Sequence, residues 1–265
     1  MRPVQEIDPD LARQVDVFLT DIDDTLTTDG RLPKHAYAAL WDLHDAGISV
    51  VPVTGRPAGW CDLISRQWPV AGVIGENGAF VMAMHGKHQR TTYNPVAPEP
   101  SQNAKRLDAI ASELFERIPG TRYAKDQFAR LFDVAIDFRE EPPLLGYDVA
   151  DEIRMHFESH GAQAKVSSIH VNAWFGAYDK RSMAAHYLRE RFDLDLELPS
   201  HNARSLFVGD SPNDEPMFEA FRNTVGVANI VAFSPQLQHP PRFVTSNPGA
   251  EGFAELVEVL LHQRS

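Results

Sequence analysis

Apolar positions follow two rhythms along this chain. VDVFLTD (15–21), ISVVPVTG (48–55), VAGVIG (70–75) and SLFVGD (205–210) are short, nearly unbroken apolar runs. Their length and β-branched content predict strands buried on both faces. Between the first two, Pro33 opens a helix whose apolar stripe is Ala36, Leu40 and Leu43, and Gly47 closes it. Another helix is predicted to start near Pro57. Strand, helix, strand, helix in this order predicts parallel βαβ units. The same grammar returns later, with a helix from about Asn213, strands at VGVAN (225–229) and FVT (243–245), and a last helix over 249–262.

The middle of the chain has a different texture. AFVMAMHGKHQRTTY (79–93) reads as a hairpin turning at His85-Gly86, and the Pro-rich NPVAPEP (94–100) follows. Helix, strand, helix, strand are then predicted over roughly 102–117, 130–138, 147–160 and 165–174. The expected fold class is α/β, a Rossmann-like parallel-sheet core carrying an inserted α+β cap domain. The expected division is core at 1–88 and 178–265, with the insert at 89–177.

Charge and cysteine content narrow the function. The 37 acidic against 25 basic residues give a net charge of −12, which argues against nucleic acid or an anionic membrane as partner. A small anionic ligand is still allowed where the local field is positive. The one cysteine, Cys61, excludes an internal disulfide and fits a reducing compartment. The N-terminus has no leader-like apolar stretch, and no run approaches the roughly 18 apolar residues of a membrane span. A cytoplasmic location is therefore expected. Monomer and homodimer are equally compatible with the sequence.

The chemistry sits at strand ends. Asp21, Thr54 and Asp210 end three of the predicted strands, and ligands of open parallel sheets bind beyond those carboxyl ends. Each could simply cap a turn, but Asp23 and Asp214 crowd the same rim. Two unit charges 4 Å apart repel by about 4 kcal/mol at an effective dielectric of 20. Asp21, Asp23, Asp210 and Asp214 together therefore call for a cation. An all-oxygen set without His or Cys suits Mg²⁺. Carboxylates at i and i+2, as at Asp21 and Asp23, suit nucleophilic attack on phosphorus with acid help to the leaving oxygen.

These residues also match a family. DIDDTL (21–26), TGR (54–56), Lys180 in GAYDKRSM and GDSPND (209–214) resemble, in order and spacing, the four motifs of the haloacid dehalogenase-like (HAD) phosphohydrolases. GENGA (75–79) and a large insert between the second and third motifs are similar to subfamily IIB. The resemblance implies Asp21 as nucleophile, and Asp23 as general acid/base with its carbonyl on Mg²⁺. It implies Thr54 on the phosphoryl oxygens, with Gly55 and Arg56 beside the substrate. Lys180 would neutralise phosphate and nucleophile, Asp210 would ligate the metal, Asp214 would ligate it or orient its waters, and Asn213 would contact phosphate. Asp24 departs from the glycine many members carry there, and so excludes the easiest positive-φ conformations. The second aspartate, Asp23, argues for phosphoryl transfer over dehalogenation.

Specificity residues are expected at two further places. In IHVNAWFG (169–176), His170, Asn172 and Trp174 share one strand face, which could close over a sugar. Glu76 and Asn77 follow the third strand toward the same rim. The expectation is a Mg²⁺-dependent phosphatase acting on a small phosphorylated metabolite such as a sugar phosphate. A phosphomutase of the same superfamily and a non-catalytic phosphosugar-binding regulator remain as alternatives.

Overall fold

A computed structural model describes residues 1–167 and 169–264. The chain opens with β1 (Arg2–Pro3) and α1 (Pro9–Gln14), neither anticipated from the sequence. Then come β2 (Val17–Thr20), α2 (Lys34–Asp45), β3 (Ser49–Pro52), α3 (Ala58–Gln67) and β4 (Val73–Gly75). β5 (Phe80–His85) and β6 (His88–Tyr93) form the hairpin, whose turn places Gly86 at φ 62°. The middle region holds α4 (Pro100–Arg117), β7 (Arg122–Tyr123), β8 (Val134–Asp137), α5 (Tyr147–Ser159), β9 (Gln163–Val166) and β10 (His170–Trp174). It ends with α6 (Lys180–Phe192), α7 (Pro199–Asn202), β11 (Ser205–Gly209), α8 (Glu215–Ala220), β12 (Asn223–Gly226), β13 (Phe243–Val244) and α9 (Gly249–Arg264).

The main sheet is parallel, in the order β1-β13-β12-β11-β2-β3. Its strands explain why the apolar runs are unbroken. Phe18, Val50, Leu206 and Val208 pack with α2 and α9 in one cluster. Val17, Leu19, Val51 and Phe207 pack with α6 and α8 in another. Alternate side chains thus feed two cores, so every position must be apolar. In the middle region β7-β8-β10-β9 form an antiparallel sheet. Its Val134, Ile136, Val171 and Ala173 pack on α4 and α5. The opposite face carries Asp133, His170 and Asn172.

Several elements depart from expectation, each for a local reason. VAGVIG does not extend the main sheet as a full parallel strand. β4 pairs antiparallel with β5 and joins the chain just past β3 through a parallel Val53–Ile74 bridge. The stretch 165–174 is not one strand but parts of β9 and β10, with Ser167 N–H bonded to His170 O at the turn between them. Ser168, inside the expected strand, lies outside the described residues. Helix α4 starts at Pro100 because the Glu99 side chain accepts from Ser101 and Gln102 N–H (3.0 and 3.2 Å). The helix expected from Asn213 begins as a 3₁₀ turn, Pro212–Asp214, before α8.

Candidate active site

The carboxyl ends of β2, β3 and β11 meet a cavity of about 410 Å³, closed on its other side by Arg130, Tyr147, Lys165, His170 and Asn172. Asp21 directly follows β2, and its N–H continues the ladder to Val208 O (2.9 Å). Asp23 and Asp24 lie in the turn beyond and also line the cavity. Asp24 takes φ 56° in spite of its side chain, a conformation Asp tolerates better than most residues. Its N–H bonds Thr27 Oγ1 (3.1 Å) and its carbonyl accepts from Asn229 (3.0 Å), which holds the strained turn.

Lys180 is the first residue of α6, where a helix disfavours a cation. Asp179 caps that helix in a capping box with Ser182. Lys180 is only 6% exposed, and its Nζ donates to Asp21 Oδ1 (2.7 Å) and Asp214 Oδ1 (2.8 Å). Burial alone would lower its pKa, but the two carboxylates hold it above the ordinary lysine value. Two glycines make this packing sterically accessible. A Cβ on Gly78, at φ 102°, would fall 2.0 Å from Asp179 O, so GENGA can pass against the start of α6 only with glycine there. A Cβ on Gly209 would sit 2.4 Å from Asp214 Oδ2, the oxygen that accepts from Asp210 N–H (3.1 Å).

The acidic residues remain under-compensated. Burial, with Asp214 and Asp23 adding repulsion, pushes Asp21 up to about 8 even though Lys180 opposes the shift. Burial, then Asp214, Asp21 and Asp24, push Asp210 well above the usual carboxylate range. Carboxylate oxygens of Asp21, Asp210 and Asp214 lie within 4.8 Å of one another. A set of this size, all oxygen and with the single Lys180 ammonium set against three carboxylates, fits a hard divalent cation.

Arg56 does more than hold its loop. Its Nε and Nη2 grip the Asp23 carboxylate (3.0 and 2.7 Å), and its guanidinium stacks 4.5 Å over Trp60. The Thr54 hydroxyl oxygen accepts from Arg56 N–H (3.0 Å); Thr54 is fully buried and sits behind the cavity wall. Gly55, Asn77, His170, Asn172 and Asn213 line the cavity. His170 Nε2 is paired with Glu140 (2.8 Å) and Asn172 donates to Asp133 (3.0 Å), so both reach the cavity already oriented. Asp214 is fully buried beneath Lys180.

Two expected specificity residues are elsewhere. Trp174 is 1% exposed, packs into the main core, stacks on Tyr178 and donates to its carbonyl (3.2 Å). The strand face is as expected, but its far end meets the core before it reaches the cavity. Glu76 has no exposed surface. Its carboxylate accepts backbone N–H groups from Ala58, Leu131, Phe132 and Asp133 (2.5 to 3.2 Å). It fastens residues 131–133 to the start of α3 and does not face a substrate.

Beside Glu76 runs an ion network that the sequence motifs did not reveal. Arg130 binds Asp133 (2.8 Å), Asp126 (3.3 Å) and Gly55 O (3.0 Å), while Arg56 reaches Asp126 at 3.9 Å. DQFARLFD (126–133) looks like an ordinary charged surface turn in one dimension. Its charge alternation was the available signal. Burial and the nearby Asp133 push Glu76 up to about 7, against the bonds from Leu131 and Phe132. Folded Glu76 thus keeps its proton where the unfolded chain, with an ordinary value of 4.5, has lost it. This contribution to stability is full below 4.5 and is lost as pH rises through about 7, at most about 3 kcal/mol. Denaturation from pH 4.5 to 7.5 should show the stability gap between wild type and Glu76→Gln narrowing as pH rises. Parallel curves would contradict it.

Residues 18–112 match the family model described as haloacid dehalogenase-like hydrolase. Among curated proteins none matches the sequence significantly. Solved structures of the same fold include a Thermoplasma acidophilum protein, at 18% identity and TM-score 0.71 over 93% of this chain and 98% of that one. The C-terminal domain of trehalose-6-phosphate phosphatase from C. albicans aligns over 100% of both chains, at 16% identity and TM-score 0.71. Sucrose-phosphatase from Synechocystis, solved with sucrose and phosphate, aligns at 17% identity and TM-score 0.64 over 94% and 98%. The segment 18–112 is therefore similar to haloacid dehalogenase-like hydrolases, and nearly the whole chain shares the fold of these solved structures.

Proposed function

We propose that the protein is a Mg²⁺-dependent phosphatase that hydrolyses a small phosphorylated metabolite of the sugar-phosphate class through an aspartyl-phosphate on Asp21. The observation that carries this reading is the buried ion triad, with Lys180 between Asp21 and Asp214 at the cavity floor. A binding protein has no need of a compensated nucleophile. The resemblance to sucrose- and trehalose-phosphate phosphatases supports the substrate class. The polar wall of Tyr147, Lys165, Ser167, His170 and Asn172 offers hydrogen bonds of the kind sugar hydroxyls use. Residues 89–177 are read as the cap that supplies this wall, with 1–88 and 178–265 as the core. The enzyme is read as cytoplasmic. Among the described residues no helix is long and apolar enough to cross a membrane.

In this reading a free Asp21 oxygen attacks phosphorus as the bond to the leaving oxygen breaks, and Asp23 gives that oxygen a proton. Asp23 then takes a proton from the water that attacks the acyl phosphate, and the Asp21 carboxylate is regenerated. Arg56 holds Asp23 in the present arrangement, so turnover requires Asp23 to exchange Arg56 for the leaving oxygen. Lys180 favours the ionised form of Asp21 and orients it, while Gly55 and Asn213 frame the phosphoryl group and Thr54 holds the Arg56 loop behind them. Mg²⁺, held by Asp210 and Asp21 with the Asp23 carbonyl and with Asp214 behind, would add the positive charge that phosphoryl transfer needs.

Phosphate release from a panel of sugar phosphates, nucleotides and p-nitrophenyl phosphate tests this. Release should require Mg²⁺, stop with EDTA and concentrate on a few sugar phosphates. Release that is unaffected by EDTA, or absent from the whole panel with Mg²⁺ present, would contradict the reading.

A further inference from the structure

On the outer helical layer, outside every motif above, Glu113 of α4 meets His156 of α5 and His160 at its end. His160 is the C-terminal cap residue of α5. The histidines stand four residues apart and so share one helix face. One ligand atom from each of the three lies within 4.8 Å of the others.

The hydrogen bonds around the rings give a second, independent observation. His156 Nε2 bonds the carbonyl of Ile110 (3.2 Å), and His160 Nδ1 bonds the carbonyl of His156 (2.9 Å). A carbonyl can only accept, so each of these nitrogens carries a proton, and in the neutral ring the other nitrogen presents a lone pair. Metal-binding histidines are oriented in this way, by giving their second N–H to a backbone carbonyl or carboxylate. His156 is 8% exposed, which fixes its ring between the helices.

For His160 the free nitrogen is Nε2, which faces Glu113 Oε2 at 3.4 Å. A lone pair opposite a carboxylate oxygen is repulsive unless a proton or a metal cation lies between them. Atoms each about 2.0–2.2 Å from a tetrahedral zinc are about 3.3–3.6 Å apart; the His160–Glu113 pair already has this spacing, and the third ligand atom lies within 4.8 Å of both. We propose that Glu113, His156 and His160 form a transition-metal site, suited to Zn²⁺, that clamps α5 to α4. Two imidazoles and one carboxylate select a borderline-soft divalent ion over Mg²⁺. Glu113 and His160 are exposed and can close on the ion by side-chain rotation. The site is separate from the catalytic aspartates, and its effect is on the stability of the helical layer.

The test is calorimetric titration of metal-stripped protein with ZnCl₂ in millimolar Mg²⁺, which keeps the aspartates occupied by the hard ion. Wild type should bind one equivalent, and its thermal unfolding midpoint should rise with zinc. Cobalt(II) at the same site should give the strong visible absorption of tetrahedral coordination. His160→Ala and Glu113→Gln, both changes at exposed positions, should each weaken binding by about 100-fold or more, beyond the ~10–100-fold typical of losing an outer-shell partner. Asp210→Asn should leave the zinc equivalent in place. Absence of saturable zinc binding, or equal binding by His160→Ala, would overturn the site and leave His160 and Glu113 an ordinary proton-bridged pair.

Discussion

Asp21→Asn should abolish phosphate release while the protein stays folded. The carboxamide cannot form the acyl phosphate, and losing a covalent nucleophile that works within a catalytic unit costs about 10⁴-fold or more. The fold tolerates the change because Asp21 is buried beside Asp214 and Asp23, whose repulsion already pushes its proton affinity up. Near neutral pH in the absence of metal, removing this group, which folding forces to take up a proton, should leave the unfolding midpoint unchanged or raised. Steady-state release and thermal unfolding of the same preparation measure both. Activity within tenfold of wild type would remove Asp21 from the nucleophile's role.

Lys180→Met should fail in a different way, losing both turnover and stability. Met keeps the apolar length of the side chain but leaves Asp21 and Asp214 buried without the ammonium that bridges them at 2.7 and 2.8 Å. Removing one partner of a buried ion pair typically costs about 3–5 kcal/mol, or roughly 10 °C in the midpoint for a domain of this size. Protonation of the stranded aspartates can relieve part of this. The unfolded chain would bind fewer protons than the folded one, so the deficit should grow as pH rises. Mg²⁺ should restore stability without restoring rate. A variant as stable as wild type across pH 6 to 9 without metal would show that the triad is not structurally coupled.

The polar rim of the cavity could be read from the sequence because its signal is local. Buried parallel strands are unbroken apolar runs, and the polar residue that ends each one falls at the rim where ligands bind. GENGA and GDSPND carry steric information of the same local kind, since Gly78 and Gly209 sit where a Cβ would meet Asp179 O and Asp214 Oδ2. Asp24 shows the limit of residue preference. Its side chain argued against positive φ, yet the bonds to Thr27 and from Asn229 hold it at 56°.

Long-range partners were not legible. Whether Trp174 faced a substrate or the core depended on where the end of β10 lands against Tyr178 and its neighbours. Glu76 lay in a motif but is consumed by N–H groups from residues 55 to 57 positions away. Arg130, Asp126 and Asp133 belong to no motif, and only the fold shows that they tie the cavity wall to Gly55. The two-strand pairing of 163–174 was hidden because β9 is too short to display its own alternation.

The central claim is covalent catalysis at Asp21, and an acyl phosphate can be trapped directly. Enzyme turning over its best panel substrate with Mg²⁺ is quenched in acid and reduced with borohydride, which converts an aspartyl-phosphate to homoserine. Mass spectrometry of the peptide spanning residue 21 should then show homoserine at Asp21, dependent on Mg²⁺ and substrate and missing with EDTA. Phosphate release with residue 21 unmodified, or reduction at another carboxylate, would contradict the account.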